Sequence, residues 1–267
     1  MKRTDYEIVE FPASRLSTSD VGRFGHKKHY IFGLLEIDVT SARQRLRKLR
    51  QHGQQVSFTA WMIKTIGDCV ARNRYAHALR YGRRSLITFN DVDIALPIER
   101  IINGKSVPLP LLIKRTNERT AVDIHQEIEA AQGKTINNEK DFVLGNNQFS
   151  LIALRFYYAL PQWFRVLLWR VIFGNPFRAK LHSGTVMVTT VNAIGGSGWI
   201  LPSRNMHNIA LSFGSISKKP WVVEGKIEIR EILHLTVTFN HDVIDGVPAR
   251  RFVQDLVKKI EDVGTSV

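Results

Sequence analysis

The spacing of apolar positions divides the amino-terminal half of the chain into strands and helices, which differ in their hydrophobic period. Strands are predicted for residues 30–39, 85–89, 92–99 and 107–114, and helices for residues 41–52, 57–73 and 121–132. Thr40 or Ser41 is the expected cap of the first helix. We expect Asn90-Asp91 to join two of the strands, and two prolines place residues 107–114 at a sheet edge.

The carboxyl-terminal part of the chain is rich in strand patterns. The polar residues 133–147 are expected to form a loop. Beyond them, strands are predicted for residues 185–192, 209–215, 226–230 and 232–239, and a closing helix for residues 247–261. One face of that helix carries Phe252, Val253, Leu256 and Ile260. Because the chain shows no repeat, low-complexity tract or obvious linker, residues 1–267 are predicted to form a single domain.

A strongly apolar and aromatic segment covers residues 150–173. Pro161 should break or kink a helix there, and three arginines interrupt the segment, namely Arg155, Arg165 and Arg170, so it is a poor membrane span. As two short helices, 151–160 and 162–173, it either packs on the protein, lines an acyl pocket, or makes a peripheral membrane contact. The membrane alternative would insert Trp163, Phe164 and Trp169. Packing or a pocket is the preferred interpretation.

The charge balance narrows the range of partners. The 267 residues are 44% hydrophobic and carry a formal net charge of +14, with a pI near 10.1. A field of this sign attracts nucleic acid, anionic lipid or phosphorylated small molecules. The densest basic run, residues 43–50, is interpreted as a solvated helix face. Without zinc-ligand spacing, a helix-turn-helix signature or an aromatic RNA-binding motif, the sequence predicts no nucleic-acid partner and no metal site.

The cysteine content and the amino terminus indicate the compartment. The single cysteine, Cys69, shares an apolar helix face with Ile66 and Val70, which is typical of a core thiol in a reducing environment. The residues after Met1 lack the apolar core of a secretory signal. We therefore expect a cytoplasmic protein.

The candidate chemistry lies where the last predicted strand meets the closing helix. The strand runs into Asn240-His241-Asp242, and Asp245-Gly246 follows at the start of the helix. A strand end can direct an imidazole into a cleft, where an imidazole suits removal of a thiol or hydroxyl proton. Asp245 would cap the helix and orient the turn. From these residues alone, His241 is either a catalytic base or a hydrogen-bonded turn histidine.

Residues 235–252 closely resemble the terminal motif of the dihydrolipoamide acyltransferase core of 2-oxoacid dehydrogenase complexes. Chloramphenicol acetyltransferase shares that fold and the same His-x-x-x-Asp-Gly pattern. Other parts of the core are similar to residues 36–40, to 57–60 with Lys64, to 184–195 and to 221–230, whereas residues 137–180 have no match. The resemblance implies an α+β fold, in which a mixed sheet with packed helices forms a chloramphenicol acetyltransferase-like two-layer sandwich.

The resemblance also implies the catalytic roles. His241 would accept the thiol proton of coenzyme A or of another acceptor, and the thiolate would attack an acyl thioester. The family stabilises the resulting oxyanion with a serine hydroxyl, and that position falls on Thr189, with Thr190 one register away and Asn192 at the end of the stretch. The alternative for Thr189 is a β-branched residue that merely suits a strand.

Two further roles follow from the resemblance. In the family, the motif aspartate pairs with an arginine near the amino terminus, which would join Asp245 to Arg15 or, failing that, to Arg23. Coenzyme A carries three phosphate groups, and Lys218 and Lys219 are candidates to bind one of them. The alternative is that both lysines are solvated turn residues.

The family forms its active site between subunits, so the resemblance implies a homotrimer or a larger trimer-based assembly. Lipoyl and subunit-binding domains precede the core in dehydrogenase complexes, whereas Met1 leads into the core almost directly. We therefore expect an enzyme without covalently bound lipoate that moves an acyl group between a soluble coenzyme A thioester and a small-molecule acceptor. The alternative is a non-catalytic scaffold or binding subunit of an acyltransferase-type assembly.

Overall fold

The computed structural model describes residue 7 and residues 13–102, 105–133, 156–190, 196–202 and 205–262. The helices are α1 (Ala13–Gly25), α2 (Thr40–Gln51), α3 (Phe58–Arg72), α4 (Ala121–Gly133), α5 (Gln162–Phe173), α6 (Pro176–Ser183) and α7 (Gly246–Glu261). The strands are β1 (Tyr30–Asp38), β2 (Leu79–Tyr81), β3 (Ser85–Ile87), β4 (Ile94–Ile102), β5 (Lys105–Ile113), β6 (Val186–Thr190), β7 (Ile209–Val223) and β8 (Lys226–Asn240).

Six of these strands form one mixed sheet in the order β1-β8-β7-β6-β4-β5. Strand β6 is parallel to both of its neighbours, β4 and β7. The β1/β8, β8/β7 and β4/β5 pairs are antiparallel. The proline-containing strand β5 lies at the edge, as predicted. The two strands predicted over residues 85–89 and 92–99 are present as β3 and β4, joined through Asn90-Asp91, but they lie in different sheets because β3 pairs with β2.

Helices cover one face of the sheet and form the main hydrophobic core with it. Trp61 and Ile66 of α3 and Phe252 of α7 are completely buried against sheet residues such as Leu211 and Leu235. The predicted apolar face of the closing helix is confirmed, with Phe252, Leu256 and Ile260 buried and Val253 half-buried. This arrangement is the expected α+β class of a mixed sheet with packed helices.

The two longest strands, β7 and β8, form one continuous hairpin. Its turn residues Glu224 and Gly225 both have positive φ, 49° and 78°, as a tight two-residue hairpin turn requires. The prediction of separate strands over residues 226–230 and 232–239 is therefore wrong, since a single strand includes both. The polar run around Lys218 and Lys219 interrupts the apolar alternation but not the backbone ladder.

The caps of the two helices after β1 differ from each other. Helix α3 begins at Ser57, whose hydroxyl accepts a hydrogen bond from Ala60 N at 3.2 Å. Helix α2 begins after Val39, so neither Thr40 nor Ser41 is its cap. The Thr40 hydroxyl instead accepts a hydrogen bond from Glu231 N at 2.7 Å and ties the helix to β8.

Part of the apolar segment 150–173 is described. Helix α5 confirms the prediction for residues 162–173, and residues 156–159 are also helical. The expected loop beyond residue 133, the start of the first predicted helix, Arg155 and Asn192 lie outside the described residues. None of the helices in the described ranges is long and apolar enough to cross a membrane.

Candidate active site

His241 lies in the turn that follows β8. Its backbone N–H donates to the carbonyl of His29 at 2.6 Å, and the N–H groups of Val243 and Ile244 return to the Asn240 carbonyl at 3.1 and 3.0 Å. The His241 side chain is exposed. Asp245 occupies the cap position of α7, but its side chain is exposed and makes no capping hydrogen bond. The turn therefore presents the imidazole to solvent while its backbone is fixed.

A side-chain contact between His29 and Asp242 holds this turn against the start of β1. His29 Nδ1 lies 2.6 Å from Asp242 Oδ1, and His29 N donates to Asp242 Oδ2 at 3.3 Å. The hydrogen bond from His29 lowers the pKa of the Asp242 carboxyl. Because Tyr30 pairs with Asn240 in the β1/β8 register, the preceding residue is brought beside the turn. The sequence analysis missed His29, and only that register could have identified it.

A buried amide pair supports the turn from below. Asn240 Nδ2 donates to Asn208 Oδ1 at 3.0 Å, and Asn208 Nδ2 donates to the Ala78 carbonyl at 2.7 Å. Lys28 Nζ donates to the same Asn208 oxygen at 3.1 Å. Burial lowers the pKa of Lys28 to about 8, partly offset by the nearby Asp242 carboxylate. The turn thus rests on a fixed hydrogen-bonded platform that joins the end of β8 to the segments that precede β1 and β7.

A cleft of about 410 Å³ opens beside the turn. Its lining residues are His26, Lys28, His29, Tyr30 and Phe32. Three of these side chains can carry positive charge, and two offer aromatic surface. This combination suits a ligand with both anionic and apolar parts. Among the described residues, no three His, Cys, Asp or Glu side chains form a cluster that could hold a metal ion.

Thr189 and His241 do not meet within one chain. Thr189, half-buried on β6, is in register with Ser212 on β7, which is in register with Thr236 on β8. His241 lies five residues beyond Thr236 and two strand spacings across, so the separation is roughly 20 Å. Thr190 is also half-buried and pairs with Phe213. A second chain is needed to place a hydroxyl donor of this strand beside the histidine.

The sheet row that contains Thr189 carries other hydroxyl groups. Ser212 and Thr236 lie in this row, and Thr238 lies two residues further along β8. All three are buried, and within the described ranges their hydroxyls have no hydrogen-bond partner. Thr236 and Thr238 lie on the same face of β8, since side chains alternate along a strand. The sequence analysis identified Thr189 and Thr190 on β6 but none of these hydroxyl groups, although alternation along β8 could have revealed the two threonines.

The supporting basic residues are placed differently from the expectation. Arg15 and Arg23 are exposed on α1, and across the ranges that the structure describes neither forms an ion pair with Asp245. Lys219 Nζ instead binds Glu36 Oε1 at 2.5 Å. Lys218 is exposed and pairs in register with Glu231, ten residues before His241, roughly 30 Å from the turn. Within one chain, the two lysines and the histidine belong to different ends of the hairpin.

Comparison with known proteins shows similarity to acyltransferases over the carboxyl-terminal part of the chain. Residues 177–267 match the family model described as 2-oxoacid dehydrogenases acyltransferase (catalytic domain). The lipoamide acyltransferase component of the branched-chain alpha-keto acid dehydrogenase complex of Pseudomonas putida is 31% identical over 78 residues, 29% of this chain and 18% of the relative. A probable dihydrolipoamide acetyltransferase from Listeria monocytogenes 4b F2365 has a TM-score of 0.72 at 16% identity, covering 98% of this chain and 97% of its own.

The family match is thus limited to residues 177–267, about a third of the chain. The cubic core of the pyruvate dehydrogenase multienzyme complex also shares its fold, with a TM-score of 0.69 at 16% identity over 98% of this chain and 94% of that one. These matches confirm the α+β fold class. The family match includes β6, the β7–β8 hairpin and the turn with His241, while the chain spans less than a fifth of the Pseudomonas relative.

Proposed function

We propose that this chain transfers an acyl group between a coenzyme A thioester and a small-molecule acceptor, with His241 as the general base. The observation that carries the proposal is the exposed His241 imidazole on a turn that His29 and Asp242 fix from the β1 side. A base on a fixed turn begins each reaction in one orientation, which removes part of the entropic barrier to proton transfer. The match of residues 177–267 to the acyltransferase catalytic-domain model supports the same reaction class.

The proposed reaction has two steps. In the first, the His241 imidazole removes the proton from the thiol or hydroxyl of the acceptor, and the anion attacks the thioester carbonyl. In the second, the tetrahedral oxyanion collapses, the bond to the coenzyme A sulfur breaks, and the imidazolium returns its proton to the departing thiolate. The Thr189 hydroxyl donates a hydrogen bond to the oxyanion, a contact typically worth about 2.7 to 4 kcal/mol in the transition state.

We place the complete site between subunits of a trimer or larger trimer-based assembly. The separation of roughly 20 Å between Thr189 and His241 in one chain supports this arrangement, because a hydroxyl donor must lie within hydrogen-bond distance of the oxyanion. The shared fold with a cubic multienzyme core supports an oligomer of this kind. A cytoplasmic location and a single-domain organisation stay predictions of the same proposal.

Coenzyme A would be held by the positive field of the chain, whose net charge is +14. Lys218, which is exposed, is the better of the two proposed phosphate ligands, because Lys219 already binds Glu36. Asp245 and Arg15 keep their proposed supporting role only if they meet across subunits, as neither contacts the other within the described chain.

The activity test uses acyl transfer from a panel of coenzyme A thioesters to thiol and alcohol acceptors. Wild type is compared with His241→Ala and with Thr189→Val, and Thr189→Ser is the matched control that retains the hydroxyl. We expect His241→Ala and Thr189→Val to lose activity and Thr189→Ser to keep most of it. Equal rates for wild type and His241→Ala would contradict the mechanism, and no transfer by any protein would favour the scaffold alternative.

A mixing test addresses the site between subunits. His241→Ala and Thr189→Val chains are unfolded together, refolded in equal amounts and assayed. If the two residues act across a trimer interface, random assembly restores about a quarter of the wild-type sites, because each site then combines an intact histidine with an intact threonine. Recovery of no activity by a mixture that forms normal oligomers would place both residues in the same chain.

A further inference from the structure

Helix α5 is attached to α1 through a buried ion pair on its inward face. Arg165 Nε lies 2.7 Å from Asp20 Oδ2, and both residues are buried. The Tyr157 hydroxyl donates to the same carboxylate oxygen at 2.9 Å, and Trp169 Nε1 donates to the Tyr157 oxygen at 2.7 Å. This network allows one orientation of α5 on α1, since rotation of the helix would leave a buried charge unpaired.

The outward face of α5 is apolar and exposed. Trp163, Leu167 and Val171 recur every four residues and are 69%, 46% and 60% exposed. Helix α5 therefore buries its charged contact and exposes its apolar stripe, the reverse of the usual distribution on a surface helix. Phe156, before α5 in the chain, and Phe177 and Leu181 on α6 are also exposed. A solvent-exposed apolar patch of this kind marks an interaction site.

A basic groove of about 880 Å³ borders this stripe where α1 ends beside α5. Its lining residues are Arg23, His26, Lys27, Gln162, Trp163, Val166, Leu167 and Arg170. The lining contains three permanently charged cations and no carboxylate, so the groove attracts anions. Apolar side chains flanked by arginine and lysine are the pattern by which a helix binds the headgroup region of a bilayer.

We propose that the α1–α5 face binds the surface of a membrane that contains anionic lipids. The apolar stripe of α5 enters the boundary between headgroups and acyl chains. The cations of the basic groove, Arg23, Lys27 and Arg170, bind lipid phosphates. A two-fold contact between copies of this chain is disfavoured, because it would bring two basic grooves together in a chain of net charge +14. A head-to-tail contact between chains is an outcome that the test below detects.

Membrane binding would also orient the candidate active site. The four residues that follow α1 link the two regions, since His26 and Lys27 line the groove while Lys28 and His29 contact the platform and the turn. His26 lines both the groove and the cleft beside the turn. A chain bound through this face would therefore hold its cleft next to the lipid headgroups.

The test is co-sedimentation of the full chain with vesicles of phosphatidylcholine alone and of phosphatidylcholine with phosphatidylglycerol in equal amounts, at low and high ionic strength. We expect binding to the anionic vesicles, little binding to the neutral ones, and a loss of affinity with salt. Absence of sedimentation with anionic vesicles at low ionic strength would overturn the proposal.

Two pairs of variants locate the surface. Trp163→Ser with Leu167→Ser should weaken vesicle binding about tenfold or more, and Arg23→Gln with Lys27→Gln should weaken it to a similar extent, at roughly fivefold per cation. All four side chains lie on the surface, so folding should persist, as circular dichroism can verify. Unchanged vesicle binding by both pairs would overturn the proposal.

The matched controls remove the same chemistry elsewhere. Val222→Ser with Ile229→Ser deletes exposed apolar surface from the hairpin, and Lys226→Gln with Lys258→Gln deletes two exposed cations. Both control variants should bind vesicles like wild type. An equal loss of vesicle binding in the controls would mean that binding depends only on general charge or hydrophobicity, and it would overturn the proposal. The oligomeric state of the Trp163→Ser, Leu167→Ser variant is measured by light scattering. A change relative to wild type would mean that this face contacts another chain, and it would overturn membrane docking.

Discussion

His29 and Asp242 meet at 2.6 Å across the end of the β1/β8 ladder, although 213 positions separate them in the chain. The contact has a backbone counterpart, because His241 N donates to the His29 carbonyl at 2.6 Å. The His29 side chain is 81% exposed, so the pair contributes little to the free energy of folding. Its effect is to define where the turn holds the imidazole of His241.

Removing this contact should affect catalysis more than stability. In His29→Ala and Asp242→Asn we expect the free energy of unfolding to change by less than about 1 kcal/mol, because an exposed pair is screened by solvent. The acyl-transfer rate should fall about tenfold or more, since the base loses its fixed orientation. Urea unfolding and kcat measurements check the two parts. His52→Gln, which alters an exposed imidazole just after α2, is the control, and an equal loss of kcat in it would contradict the role of His29.

The buried Asp20–Arg165 pair should behave in the opposite way. Asp20→Asn or Arg165→Met alone should destabilise the protein by about 3 kcal/mol or more, because each leaves a buried polar group without its partner. The double variant should lose less than the sum, which a double-mutant cycle of urea unfolding measures. Glu118→Gln breaks the exposed pair with Arg115 and should cost under about 1 kcal/mol. Additive effects of the two single changes would contradict the coupling.

Stability should fall in mild acid because two imidazoles are buried in the neutral form. Burial lowers the pKa of His77 and of His207 to about 4. The unfolded chain binds protons near the ordinary histidine pKa of about 6.5, so the native state loses stability as pH falls from about 6.5 towards 4. Each histidine should account for about 2 kcal/mol between pH 7 and pH 5.

His77→Gln tests this pH dependence. The amide can still donate to the Phe89 carbonyl, as the imidazole Nε2 does at 3.2 Å, but it does not titrate. Urea unfolding at the two pH values should show a smaller difference in this variant than in wild type. An identical pH dependence would mean that other groups dominate acid unfolding.

Cys69 should be unreactive in the native protein. The thiol is buried, and this burial, together with the nearby Asp255 carboxylate, raises its pKa to about 12. The nucleophilic thiolate is therefore scarce at neutral pH. Iodoacetamide should leave the native chain unmodified and should add one group in denaturant, as intact mass spectrometry would show. Native labelling at the rate of a free thiol would indicate that α3 opens readily.

The local hydrophobic pattern was sufficient to predict the helices that bury one face. Helices α3 and α7 agree with the predicted ranges within a residue at each end, because a helix packed on a sheet repeats its apolar side chains with the turn of the helix. Strand pairing was harder to predict from the sequence. The sequence marked residues 85–87 as extended, but only the tertiary structure decided that β3 pairs with β2, since hydrogen-bond partners lie on another segment.

For the candidate site, the sequence by itself determined the motif and the strand end that carries His241. Only the tertiary structure decided its surroundings. The β1/β8 register brings His29 to Asp242, and the strand order separates Thr189 from His241 within one chain. In α5, apolar composition left packing, an acyl pocket or membrane insertion of Trp163, Phe164 and Trp169 open, with packing or a pocket preferred. The structure buries Trp169 and exposes Trp163. It also buries Arg165, because Asp20 on another helix neutralises it, and the cost of an unpaired buried charge sets which face points outward.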